Sequence, residues 1–186
     1  YEIPSSLVGS EMCIRDSPNL ERNTITKFGQ LIDRDLCGPL LPSFEHGYTF
    51  MHTHRDVGTK MIGFEPTVGK TGSAVLDSTK RFEARTAKYG PVLYYSNDDG
   101  GEYDNEQMRE YLDSKTPPTE MLISRPDESN SNPWAENAHW TLLSIARALL
   151  IDAAIPPVHW AAANDVAELI VFNTPTATNM SSTASL

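Results

Sequence analysis

What most constrains the fold of this chain is the order in which its apolar spacing changes. Residues 48–53 and 60–64 carry the aromatic and β-branched composition of strands, and Arg55-Asp56-Val57-Gly58 between them predicts a hairpin or meander. An earlier strand is expected within 33–41, ended by the turn signal Gly38-Pro39. Over 71–89 the period lengthens: Val75, Phe82, Thr86 and Tyr89 fall on one helical face, and Gly90-Pro91 stops the helix. Residues 92–95 predict a buried strand, 105–114 a short helix and 120–124 a short strand. The clearest element spans 135–153, where Leu142, Ala146, Leu149, Leu150 and Ala153 form a helical stripe. Pro156-Pro157 opens a last helix through Val171, with Trp160, Asn164, Ala167 and Val171 on one face. Three strands, a helix, a strand, a helix, a strand and two helices describe an α/β fold, a mixed sheet flanked by helices.

The ends stand apart from this pattern. Residues 1–17 have no sustained period and closely resemble a translated sequencing-library adapter, so they are left out of the fold reading as a non-native segment. Residues 18–28 read as a linker, 29–176 as one domain, and the small polar residues 177–186 as a disordered tail. At 186 residues, with 39% hydrophobic and 22% charged, the chain has the length and composition of one globular domain. No apolar run approaches the roughly 18 residues that cross a bilayer, so no membrane is expected as a partner. Cys13 and Cys37 make neither a disulfide framework nor a zinc cluster, and an intracellular, reducing setting is the expectation. The 25 acidic residues outnumber 15 basic ones for a net charge of -10, which on its face opposes a nucleic-acid partner.

Three acids stand out by position. Asp35 lies inside the first expected strand, where a charge between apolar neighbours needs a partner or a purpose. Asp98 follows the strand at 92–95, just before Gly100-Gly101, which lets backbone approach a ligand closely. Glu136 lies in the first turn of the strongest helix. A strand interior, a strand end and a helix start can converge on one side of a sheet. Such an oxygen-rich trio suits Mg²⁺ or Mn²⁺ and two-metal phosphoryl transfer, in which ions about 3.5–4 Å apart flank the reacting phosphorus. Spacing alone leaves open that these are three of 25 acids on solvated faces.

The neighbouring residues narrow that choice. Asp35-Leu36-Cys37-Gly38-Pro39-Leu40, then Ser96-Asn97-Asp98-Asp99-Gly100-Gly101-Glu102-Tyr103, then the run from Asn132-Pro133-Trp134-Ala135-Glu136 to Ala146-Arg147-Ala148-Leu149-Leu150 resemble, in that order, the integrase catalytic core of copia-type LTR retrotransposon Pol polyproteins. Pro156-Pro157-Val158-His159-Trp160-Ala161 and Val171-Phe172-Asn173-Thr174-Pro175-Thr176 resemble its downstream signatures, so the likeness runs from about Gly29 to Thr176. The resemblance implies an RNase H-like fold with a mixed five-stranded sheet and a polynucleotidyl transferase of the Asp-Asp-Glu type that integrates DNA. Asp35, Asp98 and Glu136 would be its catalytic, metal-binding triad, holding two Mg²⁺ or Mn²⁺ ions. It further implies Asn132, Asn137 and His139 as nucleic-acid-facing side chains, DNA (element ends and target) as partner, and a second copy of the chain as a candidate partner. It points to the nucleus or a retroelement particle, although no targeting signal is visible. The 37 residues between Asp98 and Glu136 are close to the family's usual spacing.

The chain also departs from the family. Asp99 stands where the family has Asn, Pro133 where it has Gly, and Asn137 and Trp140 where it has Arg. Neither the upstream His/Cys zinc module nor a basic C-terminal region is present, so a core fragment is expected. Two other readings stay open: a catalytically dead remnant of the same fold, and an RNase H-like nuclease acting on RNA–DNA hybrids.

Other motifs weigh less. Gly69-Lys70-Thr71 is one register out for a phosphate loop and reads as a turn into the helix that follows. His52 and His54 share a strand face without a third ligand nearby, so they read as strand histidines. Trp134, Trp140 and Trp160 could each stack on bases, but Trp160 falls on an apolar helix face and is expected in the core.

Overall fold

A computed structural model describes residues 24–98, 100–124 and 133–174. Its elements are β1 (Ile32–Cys37), β2 (Phe50–Asp56), β3 (Ile62–Thr67), α1 (Gly72–Thr86), β4 (Tyr94–Asp98), α2 (Glu106–Asp113), β5 (Glu120–Ser124), α3 (Pro133–Asp152) and α4 (Trp160–Asn173). Single 3₁₀ turns, Ala87–Tyr89 and Pro157–His159, follow α1 and lead into α4. The order of elements is the one expected from the spacing. The expectations for residues 1–17, most of the linker, Asp99, Asn132 and the tail from 177 fall outside the described residues.

The five strands form one sheet in the order β3-β2-β1-β4-β5. The first three pair antiparallel as a meander, whereas β1–β4 and β4–β5 pair parallel through helical crossovers. This is the mixed five-stranded, helix-flanked α/β sheet of the RNase H-like class.

Local chemistry sets the starts of two helices. Thr71 caps α1, its Oγ1 accepting from Ala74 N at 3.2 Å, and Asn105 caps α2, its Oδ1 accepting from Met108 N at 3.0 Å. Several strand boundaries depart from the sequence reading, and two of the departures have a clear cause. β2 runs on through Arg55 and Asp56, because the reversal is made later: the Asp56 carboxylate accepts from Thr59 N and Thr59 Oγ1, and Lys60 takes a left-handed φ of 66°. β4 begins at Tyr94 and ends at Asp98, so Asp98 is the last residue of the strand and does not follow it. Its extent is set by the partner ladder, Tyr94↔Glu120 through Asp98↔Ser124, which no local pattern reveals.

Strand alternation sends odd and even residues of β1 to opposite faces. On one face Met51, Ile62 and Phe64 pack beneath α3 and α4, against Ala138, Leu142, Ala146, Trp160 and Ala167. On the other, Ile32 and Tyr95 pack with Val75 and Phe82 of α1 and Met108 and Leu112 of α2. The buried stripe of α3 is Ala135, Ala138, His139, Leu142 and Ala146, while Ala153 is exposed just past the helix. Trp160 is in the core, as expected, with its Nε1 donating to Leu41 O at 2.6 Å. His52 and His54 share the α1 face, fully buried with ring centroids 4.2 Å apart. Burial, together with nearby cationic groups, holds both well below the ordinary imidazole pKa. Beside them the buried Arg34 guanidinium lies 3.9 Å over the Tyr95 ring and donates to Thr79 Oγ1 and Asn97 Oδ1. Among the described residues no helix is long and apolar enough to cross a membrane.

Candidate active site

The site begins with the parallel pairing of β1 and β4. Asp33 lies opposite Ser96, and two residues further along both strands come Asp35 and Asp98, on the same face and near the carboxyl ends. Partly buried, Asp35 accepts from Leu36 N at 2.8 Å through Oδ1, while its Oδ2 lies 3.3 Å from His139 Nδ1. His139 comes from α3 and is 4% exposed, and its other ring nitrogen, Nε2, is buried without a hydrogen-bond partner.

These neighbours push the two aspartates in opposite directions. Desolvation would raise Asp35, but the His139 hydrogen bond and charge, the Leu36 amide and Lys70 outweigh it and hold the carboxyl below the usual range. Asp98 is raised, first by desolvation and then by the charges of Asp35 and Glu102, with Lys70 offsetting part of the effect. One carboxylate is therefore firmly ionised and its neighbour takes a proton more readily.

Two residues on loops complete the electrostatics. Lys70, in the turn before α1, places Nζ 2.9 Å from Glu102 Oε1. Its ammonium is held charged by Glu102 first, with Asp98 and Asp35 contributing. Glu102 folds back over Gly100, where a Cβ would meet its carboxylate at 2.8 Å, so a side chain there would displace the carboxylate from Lys70. Sequence reasoning weighed Lys70 only within a failed phosphate loop and left Glu102 without a role. Neither has a local signal, because β3 and the turn after β4 meet only in three dimensions.

Of the remaining expected site residues, Glu136 is exposed in the first turn of α3, one helical turn before His139 and on that side of the helix. Asn137 is exposed, and Asn132 lies outside the described residues. The phase of α3 places His139 in the buried stripe and against Asp35. The Glu136 to His139 spacing was the available signal. Among the described residues no three His, Cys, Asp or Glu side chains lie close enough to hold a metal ion. The structure thus groups Asp35, Asp98, Glu102, Lys70 and His139 through ion pairs and charge, and Glu136 is an exposed residue of the first turn of α3.

No protein-family model matches the chain, and neither does any curated protein. Solved structures do match. An integrase chain of the simian T-cell lymphotropic virus intasome, in complex with the PP2A regulatory subunit B56 gamma, superposes with a TM-score of 0.67 at 15% identity, over 81% of this chain and 51% of that one. The catalytic core domain of BIV integrase matches with a TM-score of 0.59 at 14% identity, over 80% of this chain and 87% of the core. The fold is that of a retroviral integrase catalytic core. A third such core, that of HTLV-2 integrase in complex with magnesium, has a TM-score of 0.62 at 11% identity, covering 83% of this chain and 94% of its own. The chain spans about half the simian viral chain and most of each isolated core, so the likeness lies in the integrase core unit and at these identities shows its fold.

Proposed function

We propose that residues 29–176 are the catalytic core of a copia-type retrotransposon integrase, which transfers DNA strands with divalent metal ions held by Asp35, Asp98 and Glu136. The observation that carries this reading is the Asp35–Asp98 pair, level on adjacent parallel strands, with one member kept ionised by a histidine from the helix that bears Glu136. The donor chemistry fits a hard cation: both strand groups are carboxylates, and Asp98, raised by desolvation and then by the charge of Asp35, would be relieved by a bound cation. Asp35 and Asp98 would bind through their carboxylates, with Glu136 joining from α3. When bound, the ions activate the attacking oxygen and stabilise the leaving oxygen of an in-line displacement. His139 keeps the Asp35 carboxylate deprotonated and oriented, Lys70 offsets the local negative charge, and the buried sheet beneath holds both aspartates in place. The ordered motifs from Asp35 to Thr176 support the copia-type assignment, and with it DNA as substrate, a second copy as partner and the nucleus or an element particle as location.

Titration calorimetry with MgCl₂ and MnCl₂, paired with strand transfer and disintegration of branched DNA, tests the proposal. Wild type binds ions and processes DNA, whereas Asp35→Asn and Asp98→Asn lose both. Undiminished ion affinity in both variants overturns the triad. Ion binding without any strand transfer marks a dead remnant, and faster cleavage of RNA–DNA hybrid than of duplex DNA marks a nuclease.

A further inference from the structure

Two residues before Glu136, at the start of α3, the Trp134 indole is 43% exposed. Two cations from the β2–β3 hairpin approach its ring: Arg55 Cζ and Lys60 Nζ each lie 5.5 Å from the centroid. Lys60 is aimed there by its left-handed backbone and by donation from Nζ to Val57 O at 2.5 Å. Arg55 pairs in register with Asp33, and Asp33 and Asp56 offset part of its charge. In a chain of net charge -10, this places an exposed aromatic ring beside two cations.

The geometry points to Trp134, Arg55 and Lys60 as a subsite for an unpaired nucleobase and its flanking phosphates. A tryptophan face binds a base by stacking without reading its identity, and adjacent cations take the backbone. Duplex interiors offer no free base face, so the ligand is a single strand or an opened end. Its distance from the carboxylates fits this role. Asp33, opposite Arg55, is two residues before Asp35, about 7 Å along β1. Trp134 is five residues before His139, about 7.5 Å along α3. Both routes offset the platform from Asp35 by roughly two nucleotide rises of about 3.4 Å each. A strand with one phosphate at the aspartates would then lay a base on Trp134. The proposal rests on the integrase-core reading for the strand's presence at the aspartates, but the binding itself needs no metal.

Fluorescence anisotropy of a short fluorescein-labelled oligothymidylate, at low salt with EDTA, tests it on the full chain. Wild type binds the oligothymidylate more tightly than a blunt duplex, Trp134→Ala weakens binding about tenfold, and Trp134→Phe retains most of it. Lys60→Gln reduces the slope of log affinity against log salt by about 0.7. Trp140→Ala, at another exposed tryptophan of α3, leaves affinity unchanged. No binding by wild type, equal binding by Trp134→Ala, or an equal loss in Trp140→Ala overturns the subsite. The binding is read in EDTA, without the ions the metal-site reading needs, so failure of that reading leaves this result standing and the two are separable.

Discussion

His139 Nδ1 stands 3.3 Å from Asp35 Oδ2, so the helix that carries Glu136 is tied directly to the strand that carries the first aspartate. Removing the imidazole leaves Asp35 with the Leu36 amide and the distant Lys70 against its own desolvation. In His139→Ala the Asp35 carboxyl is expected to titrate higher, measured by carbon-detected NMR of the carboxyl resonance. The variant loses about 1–3 kcal/mol of stability from the broken buried hydrogen bond. Because Asp35's folded pKa is lowered, its contribution is present above the ordinary carboxylate pKa and fades as pH falls through the folded value. The gap between variant and wild type therefore narrows in acid, which urea titrations across pH would show.

The sign is opposite for Asp98. Its folded pKa is raised, so ionisation there opposes folding above that value, and the effect is absent below the unfolded pKa. Asp98→Asn is expected to melt higher than wild type at neutral pH without metal and alike in strong acid. With millimolar MgCl₂ the order reverses, because only wild type gains the stabilisation of a bound ion. Thermal melts with and without MgCl₂ check both halves.

Arg34 is a buried cation whose planar fork reaches Thr79 and Asn97 while stacking on Tyr95 and Tyr103. Lysine keeps the charge but cannot reproduce the fork or the stacking. Arg34→Lys is expected to cost about 3 kcal/mol or more, a drop of roughly 6–12 °C in melting temperature. Differential scanning calorimetry reads this directly, and a change under 1 °C would show that the fork is dispensable.

At the far edge of the sheet, Arg85 joins Glu65 of β3 to Glu168 of α4, at 2.8 Å to each. Glu168 Oε2 also accepts from Phe64 N at 3.1 Å, which closes part of the open edge of β3. Arg85→Ala leaves Glu65, nearly buried, with Arg81 alone, and an expected loss of about 1–3 kcal/mol follows. Arg85→Lys recovers part of it. Urea midpoints of the two variants measure the difference.

Element identity was legible in the sequence where one segment carried its own signal. The caps Thr71 and Asn105, the stop at Gly90-Pro91 and the Trp160 face are local, and the helices formed where they indicated. The strand ends at Asp56 and Asp98 were not legible, since the turn at Asp56 depends on side-chain acceptance from Thr59 and the end of β4 on its ladder with β5. For the site, the positions of Asp35 and Asp98 could be read as candidates, but their opposite proton affinities could not. Those affinities come from burial first, and then from His139, Lys70, Glu102 and the other aspartate, groups that only the folded chain brings together.

By itself the sequence determined the order of strands and helices, the apolar faces of α1 and α4 and the ordered motifs, because these depend on spacing within a few residues. Tertiary structure alone decided that β4 enters parallel beside β1, bringing Asp98 level with Asp35 across 63 residues of chain. It also decided that His139 turns inward to the carboxylate and that Trp134 meets two cations from the hairpin. Electrostatic coupling depends on distance in space, and no spacing along the chain reports that distance until the sheet has closed.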